Sequence, residues 1–201
     1  MNNIRAVKSL IVANVAMFAL QIITHDRLEG ALALWPLGRY DGQVYFHAWQ
    51  LITYAFLHST ENYSHLLFNM LGLWMFGGEI ERAVGSSRTL ACYFASVLTA
   101  ALAQLTIPGL LGAPPAPTIG ASGGVFGLLL AYALLFPHRK VVPLIPPIPM
   151  PAWLFATLYA CLELFLGVTG SLSGVAHFAH LGGMIGSFLV VLQWRRRRGV
   201  G

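Results

Sequence analysis

Six apolar runs divide this chain, at about 6–23, 63–83, 90–111, 121–136, 153–168 and 175–194. A helix crosses a bilayer with about 20 apolar residues. Four runs approach that length. The fourth has only about 16 residues, or about 24 Å at the helical rise, so it is expected in the middle of a bundle rather than against lipid. The rest of the composition agrees. Of 201 residues, 57% are hydrophobic and only 9% charged, where a soluble domain carries roughly 25% charge. Too few polar groups exist to cover a water-facing surface. The expectation is an all-α membrane protein, one domain over residues 1–201, built as a six-transmembrane-helix bundle with a short central fourth helix.

Basic residues orient the spans. Arg5, Lys8, Arg82, Arg88, Arg139, Lys140 and the four arginines 195–198 fall at one set of alternate run ends, ten in all. Arg27 and Arg39 fall at the other set, which completes the twelve. The excess marks the cytoplasmic side, so both termini are expected in the cytoplasm. The arginine run at the C-terminus then reads as a stop-transfer anchor. The net charge of +5 is a topological signal, and no nucleic-acid partner is expected. The first run follows Arg5 and Lys8 without a nearby small-residue cleavage site, and is read as a retained helix. Cys92 and Cys161 both lie in apolar runs and are read as buried packing residues.

The loop over about 24–62 is long and aromatic, with Trp35, Tyr40, Tyr45, Phe46 and Trp49. Trp and Tyr favour the membrane interface, so this loop is expected to lie partly within it. Prolines 114, 115 and 117 break the chain before the fourth run, and prolines 143, 146, 147, 149 and 151 stiffen the link to the fifth.

Polar groups inside spans are costly and mark functional sites by default. Counting rise per residue from the outer loops places Ser122 about 7.5 Å, His180 about 9 Å and Asn69 about 10 Å along their helices. His65 lies about one turn above Asn69 on the same face. A lone serine in a span commonly back-bonds to a carbonyl, and a lone histidine satisfies itself locally. Three helices reaching one depth favour a joint role. Ser122 is a nucleophile if a base takes its proton, and neutral His180 is that base. No carboxylate other than Glu163 lies in a span near this depth, so the pattern argues for a Ser–His dyad oriented by packing or an aromatic ring. The role and charge of Glu163 stay open. His177, one turn before His180, is the rival base, read as a supporting or water-contacting group nearer the edge. His65, Asn69 and the Ser122 amide are candidate oxyanion donors. Gly123, Gly127 and Ala131, and on the sixth run Gly182, Gly186, Gly183 and Ser187, form small-residue stripes that let the fourth and sixth helices approach. No H-E-x-x-H pairing occurs, so neither a metal nor another cofactor is expected.

The residues Gly120-Ala121-Ser122-Gly123 with Gly127, Ala179-His180 with Gly182 and Gly183, His65 with Asn69, and Gly77-Gly78 with Glu81 and Gly85 resemble the rhomboid intramembrane serine proteases in their six-span bacterial form. The resemblance runs from about Trp49 to Ser187. It implies Ser122 as nucleophile and His180 as base. It implies His65, Asn69 and the Ser122 amide as oxyanion hole, with Gly120 and Ala121 beside them as candidate substrate-binding residues. It also implies single-span membrane protein substrates cut near the outer face of a bacterial inner membrane, entering past the fifth helix. The family's frequent Trp-Arg pair is here Trp49-Gln50. A catalytically silent helix-binding relative and a small transporter are the alternatives; oligomeric state stays open.

Overall fold

The computed structural model describes residues 4–40, 43–112, 114–144, 146–171 and 175–197. Helix α1 (Arg5–Ile23) ends where His25 and Asp26 both take left-handed backbone angles. Its first-turn amides are capped from a distance: the buried Glu81 carboxylate accepts from Ala6 N at 2.8 Å and Val7 N at 2.9 Å. The loop that follows is built, not loose. It contains α2 (Glu29–Leu32), a two-residue hairpin of β1 (Arg39–Tyr40) and β2 (Gln43–Val44), α3 (Gln50–Thr53) and a 3₁₀ turn over Tyr54–Phe56.

Gln50 staples that loop from its centre. Its Oε1 accepts from the amides of Trp35 and His47, and its Nε2 donates to the carbonyls of Ala31 and Tyr45. A neutral amide carries both donor and acceptor, so glutamine satisfies this buried position without a charge.

Helix α4 (Tyr63–Gly72) starts under an Asn62 cap, whose side chain accepts from Ser64 N at 3.2 Å. It continues through a π turn over Leu73–Gly77 into α5 (Gly78–Val84). Helix α6 (Ser86–Leu110) carries Pro108 in its last turn. Helix α7 (Ser122–Leu135) is 14 residues long, with eight of them buried, or about 21 Å. It is the central element expected from the sequence. A hairpin of β3 (Lys140–Val141) and β4 (Met150–Pro151) leads to α8 (Ala152–Thr169), which Gly170 ends in a left-handed cap. Helix α9 (His177–Arg197) closes the bundle.

Helices α1, α6 and α8 are long and apolar enough to cross a membrane. Large apolar side chains such as Val12, Leu102, Leu158, Phe165 and Ile185 face outward, which only a lipid surroundings tolerates in such number. The chain is an integral membrane protein with a helical bundle fold.

Helices α6, α7 and α9 pack most closely. A Cβ on Gly183 of α9 would overlap the carbonyl oxygen of Gly123 on α7. Gly182 and Gly186, expected to meet the fourth helix, instead face α6, against Ala103, Thr99 and Ala95. The reason is helical geometry: positions 182 and 183 differ by about 100° around the axis, so one stripe serves each neighbour. Ser187 reaches Ser96 of α6 at 3.0 Å. Cys92 is buried, but Cys161 is exposed on the outer face of α8; an apolar run facing lipid does not bury its side chains in protein.

At one end of the bundle Arg82 and Arg139 both pair with Glu79, Arg195 donates to the Leu134 carbonyl, and Arg88 lies over Trp194. Four of the ten basic residues counted to one side in the sequence thus lie at one end of the bundle.

Candidate active site

The serine stands at a helix start, not a turn inside it. Residues ahead of it are extended, with Thr118 bridged to Leu34. Gly120 takes φ +125°, and its N–H donates to the Tyr54 carbonyl at 3.0 Å. A side chain there would strike the His65 ring, with a Cβ 2.7 Å from Nε2. Helix α7 therefore begins at Ser122 itself, and the depth inferred by counting from Pro117 is corrected. His180 likewise lies in the first turn of α9, because that helix begins at His177. The N–H groups of a first helical turn lack intrahelical partners, so the Ser122 amide is a donor at the positive end of the α7 dipole.

The two expected partners meet. Ser122 Oγ lies 2.8 Å from His180 Nε2, across 58 residues of sequence. Phe126, one turn along α7 from the serine, stacks on the imidazole with ring centroids 4.2 Å apart and planes 5° apart. The sequence left packing or an unnamed aromatic ring to orient the histidine; the i, i+4 spacing from Ser122 would have pointed to Phe126.

Glu163 completes the surroundings. Its Oε2 lies 2.6 Å from His177 Nδ1 and 2.9 Å from His180 Nδ1. All three side chains are buried. His177 is therefore not a water-contacting group at the edge. Its distance from the surface was misjudged because α8 covers it, and helix-to-helix cover leaves no trace in spacing along one helix.

His65 lies on the other side of the serine. The same hypothetical Cβ on Gly120 would be 3.8 Å from Ser122 Oγ, so imidazole and hydroxyl flank one glycine. His65 Nδ1 accepts from Ser59 N at 3.4 Å, which leaves its proton on Nε2, facing the serine. Asn69 is buried, and its Nδ2 donates to the His65 carbonyl at 2.8 Å, with its second amide hydrogen left over. Ala121 is the buried N-cap of α7. His58 lies beside His65 with its ring tilted by 57°, ring centroids 5.0 Å apart. Gln21 of α1 holds the His58 backbone by accepting from its N–H at 2.9 Å and donating to its carbonyl at 3.0 Å.

Glu163, His177 and His180 offer donor atoms within 4.8 Å of one another. Two ligands at about 2.0–2.1 Å in tetrahedral zinc sites stand about 3.3 Å apart. The 2.6 and 2.9 Å separations here are hydrogen-bond and ion-pair distances.

Fold and site together define a helical membrane bundle with a serine–histidine pair at one end of its central helix. The Rhomboid domain model matches residues 45–197, and the chain belongs to the rhomboid family. It is 35% identical over 134 residues to Rhomboid protein 1, mitochondrial, of Saccharomyces cerevisiae, covering 66% of this chain and 38% of that one. It is 32% identical over 142 residues to Rhomboid protease GluP of Bacillus subtilis, covering 70% and 25%. Against Rhomboid protease GlpG of Yersinia pestis the identity is 28% over 190 residues, covering 94% and 62%. The chain thus spans less than two thirds of the length of each of these relatives.

Proposed function

We propose that this protein is an intramembrane serine endopeptidase that cuts single-span membrane proteins near the extracytoplasmic face. The observation that carries the proposal is the 2.8 Å contact between Ser122 Oγ and His180 Nε2, in a chain whose named relatives include two proteases.

His180 Nε2 takes the serine proton as Oγ attacks the substrate carbonyl carbon. The carbonyl oxygen becomes an oxyanion, held by the Ser122 amide, the His65 Nε2–H and the Asn69 amide, with Gly120 and Ala121 shaping the approach. Donors of this kind contribute about 3–4 kcal/mol each to the transition state. His180 then returns the proton to the leaving amine, and the peptide bond breaks to an acyl-serine. Water, deprotonated by the same imidazole, releases the acid and restores the hydroxyl. Gly120 keeps the space between His65 and Ser122 open for the carbonyl.

The reading includes one domain over 1–201, six membrane spans (α1, α4–α5, α6, α7, α8, α9), both termini in the cytoplasm and a bacterial inner membrane. The arginine-rich end of the bundle, opposite the Ser122 end, supports that orientation. The test is reconstitution into vesicles with a single-span substrate and a fluorophosphonate probe. Ser122→Ala is expected to abolish cleavage and labelling, and His180→Ala to do the same. Cleavage at the wild-type rate by Ser122→Ala would sink the proposal.

A further inference from the structure

We infer that Glu163, shared between His177 and His180, is a positioning residue that holds His180 in the tautomer able to take the serine proton. The inference rests on Ser122 and His180 being the reacting pair. It extends that pair to a chain of four side chains on three helices: Ser122, His180, Glu163 and His177.

Proton placement follows from the partners. His177 Nε2 lies 3.2 Å from the Ser171 carbonyl oxygen, which can only accept, so Nε2 carries a hydrogen. His177 Nδ1 lies 2.6 Å from Glu163 Oε2, so a proton is shared between those two atoms. Two arrangements satisfy this, an imidazolium beside a carboxylate or an imidazole beside a carboxylic acid. In both, Oε2 still presents an acceptor lone pair to His180. His180 Nδ1 stands 2.9 Å from that oxygen, out of line for a straight hydrogen bond, and has no other partner among the described residues. A hydrogen on Nδ1 meets an acceptor; a bare Nδ1 would face an oxygen lone pair. Glu163 therefore favours Nδ1–H, which leaves Nε2 bare toward the Ser122 hydroxyl. With Glu163 as the carboxylate, the 2.9 Å contact becomes an ion pair when Nε2 takes the serine proton.

Burial explains why such an arrangement costs stability unless complete. A carboxyl inside a membrane bundle needs partners, and both partners of Glu163 come from α9. Other ionisable groups facing His180 are His65 from α4, and Tyr159 of α8 behind the Phe126 ring. Tyr54 lies beyond Gly123, with its hydroxyl bound to the Val97 carbonyl. Helix α6 presents Thr99, Ala100 and Ala103 to α9, all uncharged.

The test measures kcat, KM and the pH profile of kcat/KM for wild type, Glu163→Gln, Glu163→Asp and His177→Gln in vesicles. Glu163→Gln is expected to lose about 10- to 100-fold in kcat, the range of a hydrogen bond to a charged group, with KM within about 2-fold. Its acid limb moves to lower pH, because the imidazolium loses its oxygen partner. His177→Gln moves the limb the other way, since the carboxylate then serves His180 alone. Glu163→Asp recovers part of the lost kcat. Acid limbs that stay in place, or losses confined to KM, overturn the inference. Cleavage that falls on adding EDTA, or zinc held one-to-one, overturns it in favour of a metal. Nitrogen NMR of labelled histidines in the wild-type protein needs neither a variant nor turnover. It is expected to show neutral His180 protonated at Nδ1; protonation at Nε2 overturns the inference. If Ser122→Ala cleaves like wild type, the protease reading falls while this tautomer measurement still judges Glu163.

Discussion

Phe126 lies flat on His180, with planes 5° apart and centroids separated by 4.2 Å. The ring fixes the imidazole plane from the α7 side, while Glu163 meets its Nδ1 edge from α8. The base is thereby held on a face and on an edge by different helices.

Removing the face should loosen the base without removing it. Stacked aromatic pairs contribute about 0.5–1.5 kcal/mol, so Phe126→Leu is expected to reduce kcat by up to about tenfold. Phe126→Tyr should stay near wild type. Steady-state kinetics with one substrate separates this from a change in KM.

Gly183 is where α9 comes closest to α7. A methyl group there meets the Gly123 carbonyl and pushes apart the helices that carry Ser122 and His180. Gly183→Ala is expected to lower stability by about 1–3 kcal/mol and to abolish most labelling by a serine-reactive probe. Gly109→Ala, which meets nothing within 4 Å, is the control and should be neutral or slightly stabilising.

Glu81 ties α1 to α5, with Ser86 Oγ as a third donor to its carboxylate at 2.5 Å. Glu81→Ala leaves two buried α1 amides unpaired and is expected to cost about 2–4 kcal/mol. Glu81→Gln, which keeps one acceptor, should cost less. Thermal unfolding in detergent checks both, and activity per folded molecule should be retained.

His58 predicts an acid sensitivity. Burial, with His65 beside it, pushes this imidazole down to about 3. Between about pH 6.5 and 3 the unfolded chain binds a proton there and the folded chain does not. Stability is therefore present above about 6.5 and falls by about 1.4 kcal/mol per unit as pH drops through that window. Unfolding midpoints measured from pH 7 to 4 should fall less steeply for His58→Leu than for wild type.

Much of this was legible in the sequence because hydrophobicity is read locally. Helices α1, α6, α8 and α9 begin and end within a few residues of the apolar runs. The short fourth run became α7, the buried centre. Ser122 and His180 were named from their polarity in apolar surroundings, and they stand within hydrogen-bond distance. The errors have separate causes. Depths were counted from prolines and glycines, but α7 starts only after an extended stretch ending at Gly120, held by Tyr54 and Leu34 from a distant loop. Cys161 was read as buried because an apolar run does not say which side faces lipid.

The sequence by itself determined a membrane bundle, its short central helix, the clustering of arginines at one end and the serine–histidine candidates. These follow from composition and from periods along a single helix. Only the tertiary structure decided which glycine meets which helix, that Phe126 covers His180, and that Glu163 on α8 joins His177 to His180. Those relations depend on rotation and closeness between helices. Apolar residues allow many rotations at similar energy, whereas a buried carboxyl with two histidine partners allows few. The structure fixes that choice at the site itself.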